Sequence, residues 1–485
     1  MCIRDSVYYL FFVRPFGLLE RVEQPLLDLF RLSKTDPHAR GRLIAGYLIL
    51  GMLYWLGLRA AQQARGRVAW GIVLAGALAS ATILLFLYPF GAADIFDNIM
   101  HGRILGVYGG NPFRDVISQF NQDRLVAYTA WRLAPSAYGP AWELLAGGTA
   151  WLADWSVRLV RPGLDSSAFG TLRIVVLTNV IAFKLLGVAS LAASCGLVAV
   201  ILRRFAPERA LAGVLLLAWN PVVLVETIGH GHNDLAMMVW VLAATWALAS
   251  RRFTLAILAL VVGGLVKYLP VLMVPAAGLI ALRALPDNRM RLRFVIVTGL
   301  AAVVLVVAAY APFWVGPETL SIERRQELFT TSLPAVAWAI LQKPWGAEVA
   351  GARVSLAAAG LTAVFALWQA VRTTRDQSWL SFPRAAFAIV VFYLLLTCLW
   401  FQNWYAVWPL ALAALFPPGY EVRLAVLLGY ASLAKPLIFE PLWLWHRPLP
   451  AKVWRELRLG PAVLALPWVY ALFVWIKIKR SDQSS

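Results

Sequence analysis

Long apolar runs separated by short polar breaks fill the chain from residue 43 onward. A run of about 20 apolar residues can cross a bilayer as a helix, and shorter runs are expected as buried or kinked helices. The pattern therefore predicts an all-α, polytopic membrane protein with about 11 to 13 transmembrane helices. They are expected near residues 43–58, 68–90, 180–202, 209–228, 232–249, 253–266, 269–283, 294–313, 352–371, 385–400, 404–417, 424–438 and 461–477.

Residues 1–42 come before the first predicted span and are expected to form a lead-in, either truncated or lying at the membrane interface. The apolar run VYYLFFVRPFGLL is interrupted by Arg14 and Pro15, and the pattern of a signal peptide is not recognisable. Residues 43–485 are expected to form one transmembrane domain. The short helix predicted at 141–155 carries Glu143 and Asp154, so it is expected to lie along the membrane surface instead of crossing it.

Composition and charge support the membrane assignment. The chain is 61% hydrophobic and 14% charged, with 22 Trp and a net charge of +19. The basic residues lie in short clusters between apolar runs, which is typical of cytoplasmic loops and contacts to anionic lipids and argues against nucleic acid as a partner. The clusters are Arg59–Arg67, Arg203–Arg209, Arg251–Arg252, Arg283–Arg293, Arg372–Arg384 and Lys477–Arg480. One stretch, 439–460, is net basic although the alternation of spans places it outside.

The first large polar loop, 91–140, is predicted on the outer face and opens with GAADIFDNIMHGRILGVYGGNP. Asp94 and Asp97 are three residues apart and share one face of a helix. A carboxylate at the water boundary of a cleft can act as a general base, and the alternative for Asp94 is that it caps the helix starting at Ile95. Asp97 is expected to be a supporting or structural group, with Arg103 as its partner.

His101 and Arg103 follow one to two turns later in the same stretch. An arginine at this place can bind a phosphate with two hydrogen bonds, or it can be an ordinary interfacial residue. Both roles stay open on the sequence alone.

The turn GHGHND at 229–234 joins two apolar spans with almost no loop. His230 and His232 are two residues apart, which does not place two imidazoles on one helical face, so a metal site is not predicted. Asn233 or Asp234 is expected to cap the next helix, whose N-terminus can receive an anion. A cluster of polar groups this dense between membrane spans favours a functional role.

Three further polar breaks fall on the same predicted outer face. The alternatives to a functional role are snorkelling for the lysine and an interfacial aromatic belt for the Trp and Tyr residues. Convergence of all the breaks at one face predicts a single pocket there. Its expected lining residues in these breaks are Tyr138, Lys267, Tyr268, Gln402, Trp404 and Tyr405.

Several kinds of chemistry find no support in the sequence. The scattered Cys2, Cys195 and Cys398 indicate neither a disulfide framework nor a thiol metal site. A Walker loop, a Rossmann glycine fingerprint and a G-x-S-x-G elbow are not recognisable, so no cofactor is predicted and nucleotide chemistry is disfavoured. Interrupted helices also occur in transporters, which therefore form the competing class.

Five motifs in order carry a family resemblance: DIFDNIMHGRILGVYGGNPF, SAYGPAWELLAG, WNPVVLVETIGHGHNDLAMM, VKYLPVLMVPAAG and QNWYAVWPLALAAL. Together, from about residue 90 to 417, they resemble the polyprenyl-phosphate-mannose-dependent alpha-(1,6)-mannosyltransferases of the GT-C glycosyltransferase superfamily. The resemblance implies an integral membrane enzyme with a catalytic acidic residue in its first outer loop. It further implies a lipid-phosphate sugar donor and inversion at the anomeric carbon.

Residue by residue, Asp94 matches the family's acidic position, and Gly102 with Arg103 matches the glycine and arginine that follow it. His101 departs from the pattern, because the family has an Asp there. The other matches are Tyr138 in the YGP turn, His232, Asn233 and Asp234 in the HND element, Lys267 and Tyr268 in the KYxP element, and the late pair Trp404 and Tyr405.

The resulting hypothesis is an inverting transfer of mannose at the outer face of the cytoplasmic membrane. Asp94 is the expected base, and the donor phosphate is expected to contact Arg103, Lys267 and either His230 or His232. The acceptor is expected to be a glycan or lipid-linked glycan, with membrane lipids as the surrounding partner. The alternatives are the same fold acting on another polyprenyl-linked sugar, and a transporter or flippase of lipid-linked sugar.

Overall fold

The computed structural model describes residues 3–25, 28–160, 172–320, 328–439 and 451–483. Within these ranges the chain is helical, and β pairing is confined to two isolated bridges, Gly17–Leu87 and Thr330–Trp400. The predicted all-α fold is confirmed. Half of the predicted basic stretch 439–460, residues 440–450, lies outside the described residues.

Seven helices in the described ranges are long and apolar enough to cross a membrane. An eighth span exists if Pro207–Ala218 and Pro221–Gly229, which meet at 49°, are counted as one bent helix. The chain is therefore a multi-pass membrane protein. The seven long helices are Ala39–Gln63, Gly66–Leu85, Leu172–Phe205, Asn288–Phe313, Ala347–Thr373, Tyr420–Phe439 and Glu456–Val474.

The sequence predicted about 11 to 13 spans, more than the seven or eight in the described ranges, because it counted several apolar runs that form helices too short to cross a membrane. Four of these helices have 10–17 residues, and the run 404–417 is shorter still, with a turn of 3-10 helix followed by Val407–Ala413. A helix of 14 residues rises about 21 Å, which is less than the hydrocarbon thickness of about 30 Å. Hydrophobicity shows that such runs are buried but does not show where polar breaks end their helices. The four helices are Asp234–Ala249, Phe253–Val266, Leu269–Ala284 and Ser381–Thr397.

The lead-in packs against the bundle in its described part. Its helical segment runs from Ile3 to Val13, and Tyr8 and Phe12 are fully buried. The Arg4 guanidinium lies 3.9 Å from the ring centroid of Trp219 and donates to the backbone carbonyl of Gly76. These contacts join the start of the described chain to the first spans.

Two helices of the first large loop form a close pair, Asp94–Gly106 and Pro140–Val160. Gly102 and Gly106 face the backbone of the second helix so closely that a Cβ on either would overlap the carbonyl oxygens of Ala146 and Gly147. Small residues four apart allow such backbone approach. The predicted helix at 141–155 is thus observed at greater length, and its placement along the membrane surface stays a prediction.

We expect Gly106→Ala to destabilise the protein by roughly 1–3 kcal/mol, because the added methyl must push the two helices apart. Gly148→Ala is the matched control, since a Cβ there would meet open space and alanine favours a helix. Thermal unfolding in detergent, followed by Trp fluorescence, measures both. Equal melting temperatures for the two variants would contradict the close packing.

Candidate active site

Asp94 lies in the first turn of its helix and is not a side-chain cap. The helix begins at Asp94 itself, and Ala93 occupies the N-cap position without a side-chain hydrogen bond. The capping alternative for Asp94 is therefore wrong. Its carboxylate is 17% exposed, and one oxygen lies 3.9 Å from Nδ1 of His232.

The surroundings of Asp94 adjust its acidity. Burial raises the pKa of this carboxyl from 3.8 to about 6, and the positive charge of Lys267 opposes that rise. The negative charges of Asp234 and Glu226 raise the pKa further. A carboxyl with a pKa near 6 is mostly ionised at neutral pH and still basic enough to take a proton from a hydroxyl.

Asp97 holds a loop in place. One of its oxygens accepts hydrogen bonds from the backbone N–H groups of Ala130 and Trp131, at 3.1 and 3.0 Å. Its expected partnership with Arg103 is not observed, and the supporting role predicted for it fits these contacts. Burial raises the pKa of Asp97 to about 7.

Because folding raises the pKa of Asp97 from 3.8 to about 7, the folded protein binds this proton more tightly than the unfolded chain does. The free energy of unfolding should therefore fall as the pH rises from about 3.8 to about 7. In Asp97→Asn the amide oxygen can still accept both hydrogen bonds, and we expect a shallower fall. Melting temperatures of the two proteins from pH 4 to pH 8 test this, and parallel curves would contradict it.

Arg103 is neutralised by two carboxylates, one from its own loop and one from the helix Pro140–Val160. Its Nε donates to Asp123 at 2.6 Å, its Nη1 lies 3.7 Å from Asp154, and the side chain is buried. Arg103 comes nine residues after Asp94 in the same helix, about 13.5 Å further along the axis. His101 is buried two turns from Asp94 in the same helix. The structure therefore does not bring Arg103 or His101 to the Asp94 carboxylate.

A buried carboxylate that the sequence analysis missed, Glu226, organises the histidine turn. It lies in the π-helical segment Val225–Gly229, with one oxygen 3.1 Å from Nδ1 of His230 and 3.5 Å from Nε2 of His232. Its other oxygen accepts a 2.7 Å hydrogen bond from the Asn403 amide. An ionisable residue inside an apolar span was the available signal in the sequence.

Glu226, His230 and His232 together can offer metal ligands. One ligand atom from each lies within 4.8 Å of the others. Their spacing along the chain predicted no shared helical face, but here the backbone leaves a π-helical turn and passes through Gly231, whose φ of +75° favours glycine. The turn thus brings two imidazoles to one carboxylate in a way that regular helix geometry does not predict.

Lys267 and Asp234 form an ion pair beside the histidine turn, in which Asp234 is buried and the lysine side chain is 17% exposed. The ammonium lies 2.8 Å from an Asp234 oxygen, which also accepts a 2.6 Å hydrogen bond from the Trp408 indole. Asn233 holds the N-cap position of the following helix without a side-chain hydrogen bond, so side-chain capping by Asn233 or Asp234 is not observed. Snorkelling is not needed to explain Lys267, because its charge has a partner inside the protein.

Aromatic rings surround the same cation. The Lys267 ammonium lies 5.6 Å from the ring centroid of Tyr138, 4.9 Å from Tyr405 and 5.5 Å from Trp408. Trp404 stacks on His232 with centroids 4.0 Å apart. These rings connect the late break of the chain to the histidine turn and to the lysine.

The other residues predicted to line the pocket make contacts of their own around this cluster. Gln402 accepts a 2.7 Å hydrogen bond from Lys435, a buried cation that was not predicted to lie at the site. Tyr268 is half-buried next to Lys267. The Tyr138 turn is held against the lysine break by Gly139, whose N–H donates to the Val266 carbonyl at 3.1 Å and which has no room for a Cβ.

Comparison with known protein families identifies the family of the chain. A family model described as alpha-(1->6)-mannopyranosyltransferase, N-terminal domain, matches residues 18–283, which is more than half of the chain. The chain belongs to this mannosyltransferase family. A search of curated proteins found no significant match.

The mannosyltransferase is thus a membrane glycosyltransferase, and it requires a sugar donor and a glycan acceptor. The matched range contains Asp94, Glu226 and Lys267, whereas Trp404 lies beyond it. The resemblance seen in the sequence motifs is confirmed. Membership of an enzyme family overturns the competing hypothesis of a transporter without chemistry.

Proposed function

We propose that this mannosyltransferase moves a mannosyl residue from a polyprenyl phosphate donor to a glycan or lipid-linked acceptor, with inversion at the anomeric carbon. The observation that carries the proposal is the partly exposed Asp94 carboxylate near the partly exposed Lys267 ammonium and a wall of aromatic rings. Asp94 removes the proton from the acceptor hydroxyl as that oxygen attacks the anomeric carbon. The bond from that carbon to the phosphate oxygen breaks on the opposite side.

Inversion is favoured by the number of carboxylates that reach the reaction centre. A single displacement needs one base, whereas retention through a covalent intermediate needs a carboxylate nucleophile as well. Asp234 is neutralised by Lys267, Glu226 is engaged by Asn403 and the histidines, and Asp97 binds backbone N–H groups. Asp94 is the member of this group with partial exposure and no short hydrogen bond to another side chain.

The leaving phosphate needs positive charge. Lys267 supplies it, because an ammonium preorganised in a site that excludes water stabilises the charge that develops on the departing oxygen. The imidazoles of His230 and His232 lie on the Asp94 side of the same pocket. Arg103 is no longer assigned to the phosphate, since its side chain is fully buried and it lies about 13.5 Å along the helix axis from Asp94.

The outer face of the cytoplasmic membrane is the proposed location. Basic clusters at the opposite ends of the helices support it through the positive-inside rule. A polyprenyl chain can lie in the cavity of about 680 Å³ that is bounded by apolar side chains such as Phe365, Phe387, Leu395, Leu424 and Trp468.

Purified protein incubated with radiolabelled polyprenyl phosphate mannose and a mannan-type glycan is expected to give a labelled, longer glycan. NMR of donor and product should show opposite anomeric configurations. A product from another polyprenyl-linked sugar, with none from the mannose donor, would favour the alternative donor. A product with the same anomeric configuration as the donor would contradict a single displacement.

Sidedness is tested separately by single cysteines in a functional background. A cysteine at Arg114, an exposed residue of the first large loop, should react with an impermeant thiol reagent applied to intact cells. A cysteine at Arg65, between the first two spans, should react only after the cells are opened. The reverse pattern would place the site in the cytoplasm.

A further inference from the structure

We propose that Glu226, His230 and His232 bind one divalent transition-metal ion of the Zn²⁺ type. Two imidazoles and a carboxylate are a ligand set that zinc accepts in proteins. Ligand atoms on a tetrahedral zinc with bonds of about 2.0–2.1 Å are separated by roughly 3.3 Å. The two measured separations from the shared Glu226 oxygen, 3.1 and 3.5 Å, lie on either side of that value.

The buried nitrogens of the cluster are not satisfied by hydrogen bonds alone. Nε2 of His232 and Nε2 of His230 have no hydrogen-bond partner in the described residues, although both rings are buried. A buried polar atom without a partner costs about 1–3 kcal/mol. A metal ion on Nε2 of His232 removes this cost for that ring.

Surrounding contacts have the pattern of an outer shell around a metal site. The Asn403 amide donates to one Glu226 oxygen, which leaves the other oxygen facing both imidazoles. If His232 binds through Nε2, its Nδ1 is left 3.9 Å from an Asp94 oxygen, which is near that carboxylate but beyond direct hydrogen-bond distance. Gly91 leaves the space that the His230 ring occupies, because a Cβ there would overlap the ring.

Three protein ligands leave one position open on a tetrahedral ion. In the proposed transfer reaction, on which this role depends, an ion held by these three residues would supply positive charge to the donor phosphate. The ion would then assist Lys267 in stabilising the leaving group. Binding of the ion itself does not depend on the reaction and can be measured without a sugar donor.

The test uses full-length protein in detergent, stripped with a chelator and reloaded with ZnCl₂ or CoCl₂. We expect one equivalent of zinc by elemental analysis, and visible absorption from bound Co²⁺ typical of a tetrahedral site. If wild-type protein retains less than a tenth of an equivalent of zinc after reloading, the proposed metal site is wrong. Glu226 is then a hydrogen-bonded carboxylate between two imidazoles.

Glu226→Gln and His232→Asn should each lose the ion and the Co²⁺ absorption. His38→Asn is the control, because His38 is exposed and far along the chain from the cluster. Asn403→Ala should fold and weaken metal affinity roughly 10- to 100-fold, as loss of an outer-shell partner does. Full retention of the ion by Glu226→Gln and His232→Asn would show that the ion binds elsewhere.

Activity distinguishes the two proposals. If transfer falls at least tenfold on stripping and returns with Zn²⁺, the catalytic role of the ion is supported. If the ion binds with the expected stoichiometry but no donor is used, the proposed donor is wrong and the metal site stands.

Discussion

Asp94→Asn is expected to lower kcat for mannosyl transfer by roughly 10²- to 10⁴-fold, the usual contribution of a positioned general base. The amide has nearly the same shape, so the protein should insert into the membrane and unfold at nearly the same temperature. Asp287→Asn is the matched control: Asp287 caps the helix Asn288–Tyr310, and asparagine caps equally well. Turnover within a few-fold of wild type in Asp94→Asn would remove Asp94 from the reaction.

The pH profile provides a second readout for the same carboxyl. Asp94 must be ionised to accept a proton, and its pKa is raised by burial to about 6. The wild-type kcat/KM should therefore rise as the pH increases through about 6 and then level off. The residual activity of Asp94→Asn should not show this rise in kcat/KM. If the variant still shows the rise, the group that titrates near pH 6 is not Asp94.

Lys267→Met should reduce kcat/KM by roughly 10²- to 10³-fold, the scale seen when one preorganised stabilising group is removed. The variant also leaves Asp234 buried without its cation, and breaking a buried pair in this way costs about 3–5 kcal/mol. A loss of activity in the single variant therefore has two explanations, contact with the donor and unfolding.

The double variant Lys267→Met with Asp234→Asn separates these explanations. The neutral amide introduced by Asp234→Asn needs no cation and can still accept the hydrogen bond from Trp408. Thermal stability should therefore recover, while activity should stay low if Lys267 acts on the phosphate. Recovery of activity together with stability would show that Lys267 only neutralises Asp234.

The sequence predicts the fold class, the family and the polar breaks that meet in the pocket. It does so because apolar runs and their interruptions are local properties of the chain. Tyr138, Lys267, Trp404 and His232 were each recognised as polar or aromatic residues at a break. Their ring and charge contacts show that the breaks meet.

Pairings between distant residues were not predictable in the same way. Arg103 looked available for a phosphate because nothing in its own stretch revealed that Asp123, twenty residues later, neutralises it. Glu226 was hidden in an apolar run, and its partners Asn403 and His232 come from other breaks. The break before Pro221, inside the predicted span 209–228, was also missed.

The π-helical turn Val225–Gly229 contains one residue more than an α-helical turn spanning the same hydrogen bond. Deleting a single residue there would relax the turn to an ordinary helix and rotate everything after it by about 100°. His230 and His232 would then no longer face Glu226, even though every side chain of the pocket remained encoded. This span is therefore expected to tolerate conservative substitutions far better than any change in its length.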